Sequence, residues 1–177
     1  MSIFTNPASS SKEEAAAYTA ALLELLGSQD PVAVLANTPA ALSDLIKGVD
    51  AARLAQREAP GKWSVQHVLA HLADSEIVAA WRFRMILAHD RPPIQGYDQD
   101  AWASNLWYDD AAAHDSLATF STLRASNLRL LKCAAPHQLE RVGVHAERGE
   151  ESVAHLMKLY AGHDLLHRRQ IVRILTA

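Results

Sequence analysis

The sequence predicts an all-α protein, a four-helix bundle with additional short helices. Three observations carry this. Apolar residues recur at helical rather than strand spacing over long segments. Ala and Leu are abundant while the chain holds only 7 glycines, a composition that favours helix. Four long amphipathic stretches are joined by loops of unequal length, the pattern of a bundle rather than a repeat. A chain of 177 residues is most economically one domain, residues 1–177, able to bury its own core.

The first helix is expected to open at Ser10 or Ser11, each followed three residues later by Glu13 or Glu14, the capping-box spacing. It carries Ala16, Leu22, Leu23 and Leu26 and stops near Gly27. Asp30-Pro31 and Thr38-Pro39 each read as a cap followed by a first-turn proline, and so as the starts of two short helices. After a break at Pro60-Gly61, Ser64 caps a long helix to about Ala88. Val68, Leu72, Ala79, Phe83 and Ile86 form its apolar stripe, with His67, His71, Val78 and Arg82 on an adjoining face. DRPPIQGYDQDAWASN is too polar, and too broken by Pro92, Pro93 and Gly96, for regular structure. It reads as a loop long enough to carry function. Its Tyr97, Asp98 and Trp102 either shape an entrance or simply cover the bundle.

Asp109 or Asp110 caps the next helix, which runs to about Ala135 with Leu117, Phe120, Leu123, Leu128 and Leu131 as apolar positions. RVGVHAERGEES holds a short extended piece at Val142 and Val144 before a turn at Gly149. Ser152 caps a final helix to about Leu175, whose inward face by phase is Leu156, Leu159, His163, His167, Gln170 and Ile174.

Charge and targeting narrow the function classes. Hydrophobic residues make up 49% and charged residues 21% of the chain, and the formal net charge is -3. That leaves no electrostatic excess to attract nucleic acid or an anionic membrane. No apolar run approaches the roughly 20 residues needed to span a bilayer, and MSIFTNPASSSKEE has neither the basic nor the apolar part of a secretory signal. The single cysteine, Cys133, excludes an internal disulfide and a multi-cysteine zinc cluster. Its setting in LRLLKCAAP reads as a buried thiol at the apolar end of a helix. A cytoplasmic, soluble protein is expected.

Two histidine pairs stand out. His67 and His71 lie four apart on one helix, and His163 and His167 repeat the spacing on another. Residues four apart on a helix sit one above the other, about 6 Å between Cβ atoms, so two imidazoles can converge on one ion. A third from another helix gives three protein ligands and an open position, the pattern of catalytic zinc, tolerated by nickel, cobalt or ferrous iron. His163 and His167 share a face with Leu156, Leu159 and Ile174, and His71, flanked by Leu69 and Leu72, is the natural third. The competing reading is a hydrogen-bonded core histidine beside an exposed one.

His67 falls in the first helical turn, where exposure or capping is expected. His89, His114, His137, His145 and His155 stand near loops or polar faces and read as solvated, although His145 beside the RGEES turn is close enough in sequence to approach the site. Asp74, about 60° from His71 by helical phase, is the better placed as an outer partner, although for Asp74, Glu76 and Asp164 alike a structural or solvated role is expected. Glu76, about 140° away, suits an arginine on another helix, and Asp164 points away from His163. No Glu-x-x-His pair of the di-iron bundles and no His-Glu-x-x-His occurs.

GKWSVQHVLAHLADSE, WRFRMILAHDRPPIQGYDQDAWA and RVGVHAERGEESVAHLMKLYAGHDLLHRRQI, in this order and spacing, resemble the DinB-like superfamily, in particular its DinB_2 or bacillithiol-transferase-like branch. The resemblance implies a DinB-like four-helix bundle with one divalent metal, zinc or nickel first, held by His71, His163 and His167. It implies nothing for His67. It further implies a metal-dependent enzyme, with a homodimer common among relatives. The leading expectation is a thiol-dependent S-transferase that brings a low-molecular-weight thiol to a small electrophile. The alternatives are a hydrolase using activated water and a non-enzymatic metal- or ligand-binding dimeric bundle. No general base is singled out.

Overall fold

The computed structural model describes residues 12–177, with side chains from residue 15 onward. The Ser10 and Ser11 caps lie outside the described residues. Five helices of at least 15 residues dominate: α1 (Lys12–Leu26), α2 (Pro31–Ile46), α4 (Val65–Ala88), α6 (Ala113–Cys133) and α8 (Val153–Thr176). Short helices α3 (Ala51–Ala55), α5 (Gln99–Asn105) and α7 (Pro136–Leu139) connect them. The strands β1 (Pro93–Ile94), β2 (Val142–His145) and β3 (Gly149–Ser152) form a small sheet in the order β1-β2-β3.

Caps explain where several helices start. Asp30 accepts from the backbone N–H of Val32 and Ala33, with Pro31 in the first turn. Ser64 Oγ accepts from His67 N–H and Ser152 Oγ from His155 N–H, each satisfying an otherwise orphaned donor. Gly27, at φ 56°, ends α1 in the left-handed conformation that glycine adopts without strain.

One expected break is absent. Thr38-Pro39 does not start a new helix; α2 runs through Pro39 to Ile46. Proline has no N–H to offer the carbonyl four residues back, which is that of Leu35. That carbonyl accepts instead from Arg124 Nη1 of α6 at 3.0 Å. A tertiary contact thus replaces the missing helical bond, and α2 becomes a full bundle member packed against α6 and α8.

The start of α6 also differs from the expectation. Neither Asp109 nor Asp110 caps it; the N-cap is Ala112, without a side-chain bond. Tyr108 is buried and donates its hydroxyl to Asp74 Oδ2 at 2.6 Å, and Asp109 pairs with Arg57 at 2.6 Å. These two anchors hold residues 106–111 in a turn, with Trp107 at φ 51°. DRPPIQGYDQDAWASN is likewise not structureless: it contains β1 and α5, the latter capped by Asp98, whose Oδ1 accepts from the N–H of Asp100 and Ala101. The extended piece at Val142 and Val144 is one strand of a hairpin, antiparallel to β3 and parallel to β1. Cys133 is exposed rather than buried, because the last inward position of α6 is Leu131.

The core has two parts. One gathers Leu22, Leu26, Phe83, Ile86, Leu156 and Leu159; the other gathers Leu42, Leu69, Leu72, Phe120, Ile171 and Ile174. On α8, His163 and His167 fall between Leu159 of the first and Ile171 of the second. Gly162 brings α1 against this stretch: a Cβ there would lie 2.2 Å from the Leu22 carbonyl oxygen. Only a residue without a side chain permits that approach. Among the described residues no helix is long and apolar enough to cross a membrane.

Candidate metal centre

Helix α4 must bury its Val68–Leu72–Ala79–Phe83 stripe, and this rotation carries His71 inward to 0% exposure. Helix α8 buries Leu159, Ile171 and Ile174 in the same way, and with them His163 and His167. The three imidazoles meet at their Nε2 atoms. His163 Nε2 lies 3.0 Å from His71 Nε2 and 3.1 Å from His167 Nε2. Their ligand atoms all fall within 4.8 Å of one another.

Hydrogen bonding alone does not satisfy this arrangement. A nitrogen of a neutral imidazole offers either one proton or one lone pair, so His163 Nε2 can complete a hydrogen bond with only one of its two neighbours. Burial keeps all three rings neutral by disfavouring the charged form. It holds His71 and His163 well below the ordinary histidine range, helped by the neighbouring rings. His167 is lowered to about 4 by burial, although its bond to Gln170 and the nearby Asp164 oppose the shift. Three neutral imidazoles with convergent Nε2 atoms are a donor set that fits a cation accepting electron pairs. His167 Nδ1 lies 2.8 Å from Gln170 Oε1, which fixes the tautomer that frees Nε2. Trp63 packs on His71 with ring centroids 5.1 Å apart.

The other residues singled out in the sequence sort as follows. His67 is not exposed; it is buried, with Nδ1 2.8 Å from Ser64 Oγ and Nε2 3.0 Å from Arg57 Nη2. Its partners are Ser64, Arg57 and Asp109, not the three-histidine cluster. Asp74 has the structural role rather than that of an outer partner: its carboxylate accepts a hydrogen bond from the Tyr108 hydroxyl, burial raises its pKa, and His71 Nδ1 has no hydrogen-bond partner. Glu76 does pair with an arginine on another helix: Arg124 Nη2 lies 2.8 Å from Glu76 Oε2. The same Arg124 bonds both oxygens of Asp164, which faces away from the cluster. His145 is buried rather than solvated, with Nδ1 accepting from Glu147 N–H.

A cavity of about 100 Å³ reaches the cluster at His163. Its wall includes Tyr18, Arg82, Tyr97, Arg148 and Tyr160. Tyr97 thus lines the space as one sequence reading expected, and Trp102 backs it with ring centroids 4.5 Å apart. Asp98 serves α5 as its cap. Sequence reasoning missed Tyr18, Arg148 and Tyr160. Tyr160 carried a signal, since it precedes His163 by three residues and so shares its helix face.

A buried three-histidine cluster opening on a cavity, in a helical bundle, defines a class of proteins with a potential metal site between helices. The family model of the DinB superfamily matches residues 35–171, and the chain belongs to that superfamily. It is 31% identical over 114 residues to a protein of Oceanobacillus iheyensis named "Putative metal-dependent hydrolase", covering 64% of this chain and 66% of that one. The chain therefore spans just under two thirds of that relative's length. A Bacillus mycoides protein bearing the same description is 29% identical over 138 residues, 78% of this chain and 79% of the relative. Among solved structures, YfiT from Bacillus subtilis superposes with a TM-score of 0.76 at 27% identity, covering 81% of this chain and 83% of YfiT. YfiT is described as a probable metal-dependent hydrolase with an unusual four-helix bundle topology.

Proposed function

We propose that this protein is a metal-dependent enzyme acting on a small molecule, with one divalent ion, zinc or nickel, held by His71, His163 and His167. The observation that carries this reading is the meeting of three Nε2 atoms, 3.0 and 3.1 Å apart, at the end of a cavity. When bound, such an ion lowers the pKa of a nucleophile and polarises the group under attack. The chain's own residues do the rest. Gln170 orients His167. Trp63 and the flanking core shield His71 from water, and Tyr97 and Tyr160 bound the space in which a substrate lies.

Hydrolysis is the reaction best supported, because the relatives and YfiT carry names of metal-dependent hydrolases. Transfer of a low-molecular-weight thiol is the second reading. It is supported by the same donor set, since zinc and nickel accept thiolate sulfur as readily as oxygen and the cavity adjoins His163. Both readings are tested on untagged protein by metal analysis, followed by turnover of a panel of esters and of an electrophile with small thiols. Wild type is expected to hold about one equivalent of metal, as a three-histidine set binds one ion and leaves one position open. The His163→Ala/His167→Ala variant is expected to hold almost none. Equal metal content in the two proteins overturns the proposal. Turnover of esters without thiol identifies hydrolysis, and turnover that requires thiol identifies transfer.

A further inference from the structure

Arg82 is only 7% exposed, yet among the described residues it forms no ion pair with a carboxylate. Its hydrogen bonds go to uncharged oxygens: Nη1 donates to the Tyr160 hydroxyl at 3.2 Å and Nη2 to the Gln95 carbonyl at 2.7 Å. Its Nε is buried without a hydrogen-bond partner. A guanidinium carries five N–H donors in a planar fork, and these two bonds leave most of them unused. Glu151 acts on Arg82 only through space and gives both its oxygens to Arg148, and a buried cation without a bonded carboxylate is costly to the fold.

The same side chain lines the cavity that reaches His163. The remaining charges on that wall are differently placed. Arg148 is matched, with Nε and Nη2 at 2.7 and 2.9 Å from the two oxygens of buried Glu151. Glu147 sits in the turn beside it. The rest of the lining includes Leu22, Leu156 and Leu159, which suits a short hydrocarbon body.

We propose that the cavity takes a small molecule bearing a carboxylate, and that Arg82 holds that carboxylate while the rest of the molecule extends towards His163. This rests on reading the cavity as the substrate site of the proposed enzyme, and it names the substrate class. The planar fork fits a planar carboxylate through paired, charge-assisted bonds. The apolar wall then positions the uncharged part beside the histidine cluster.

The test uses propionate and its uncharged isostere propionamide as probes on the full-length protein, followed in ¹⁵N-correlated NMR spectra by the Arg82 Nε–H resonance and, in every variant, by the backbone amides of the cavity lining. Propionate is expected to shift that resonance in the wild type, and propionamide to leave it in place. Arg82→Lys and Arg82→Gln are expected to weaken propionate binding about tenfold or more, the value of a charge-assisted fork. His163→Ala/His167→Ala is expected to retain it. An Arg82 resonance unmoved by propionate in the wild type overturns the inference, whether or not the Arg82 variants fold. Loss of binding in the double histidine variant, with binding intact in Arg82→Lys, assigns the anion to a metal ion. That result overturns the role of Arg82 and leaves the metal reading standing. Absence of metal together with a propionate shift at Arg82 overturns the metal reading and leaves the anion site.

Discussion

Arg124 of α6 grips Asp164 of α8 with both ends of its guanidinium, Nη1 to Oδ2 at 2.5 Å and Nη2 to Oδ1 at 3.1 Å. Asp164 follows His163 directly, so this pair helps fix the rotation of α8 that sends His163 into the cluster. The guanidinium also serves Glu76 of α4 at 2.8 Å and the Leu35 carbonyl of α2 at 3.0 Å. One buried side chain therefore joins α2, α4, α6 and α8.

Replacing it is expected to be severe. Arg124→Met leaves Glu76 and Asp164 buried, both less than 4% exposed, without their cation, and breaking a buried pair in this way costs about 3–5 kcal/mol. Urea unfolding followed by circular dichroism measures the loss. A change below about 1 kcal/mol, the scale of a surface ion pair, contradicts the central role given to Arg124.

Gln170 accepts from His167 Nδ1 and so holds the ring in its tautomer. Removing an outer partner of a ligating histidine lowers metal affinity by about 10–100-fold. Gln170→Ala is expected to lose metal to a chelator at correspondingly lower chelator concentration while keeping its helical content. Unchanged competition curves would show that Gln170 has no hold on the site.

Gly162→Ala tests the approach of α1 to α8. The added methyl would meet the Leu22 carbonyl oxygen at 2.2 Å, and backbone cannot rotate aside as a side chain can. Overpacking of this kind costs about 1–3 kcal/mol. The expected result is a lower melting temperature together with a disturbed cavity, since Leu22 and His163 line the same space. An unshifted melting temperature rules out the tight contact.

His145 makes a pH prediction. Burial first, then the nearby Arg148 and Arg82, lower its pKa to about 4, with Glu151 opposing. The unfolded value is about 6.5, so between these two values the unfolded chain binds a proton that the folded chain refuses. Stability from the neutral ring is complete above about pH 6.5 and falls as pH drops towards 4, by at most about 1.4 kcal/mol per pH unit. His145→Asn, whose amide oxygen can still accept from Glu147 N–H, is expected to flatten the stability profile in this window. Profiles of equal slope for the two proteins would refute the assignment.

Much of the architecture was legible because it depends on local periodicity. The stripes on α4 and α8 placed Val68, Leu72, Phe83, Leu156 and Ile174 in the core, and the caps at Asp30, Ser64 and Ser152 marked real starts. The same phase put His163 and His167 on the inward face of α8 and His71 beside the stripe of α4, and all three are buried. The resemblance to the superfamily, now matched over residues 35–171, narrowed the choice among nine histidines.

What the sequence determined by itself, then, was the rotation of the long helices: the apolar stripes that face inward on α4 and α8 follow from spacing alone. The tertiary structure decided what those residues meet. Pro39 reads as a helix start until Arg124 from another helix takes over the Leu35 carbonyl. Asp109 reads as a cap until Arg57, 52 residues away in sequence, claims its carboxylate. Likewise, His67 reads as exposed or capping until Ser64, Arg57 and Asp109 enclose it. Arg82 shows that its bonds go to uncharged oxygens only once the helices have packed around it. Spacing along a helix is set within a few residues, whereas the partner of a buried polar group comes from a distant part of the chain and is fixed only when the helices pack.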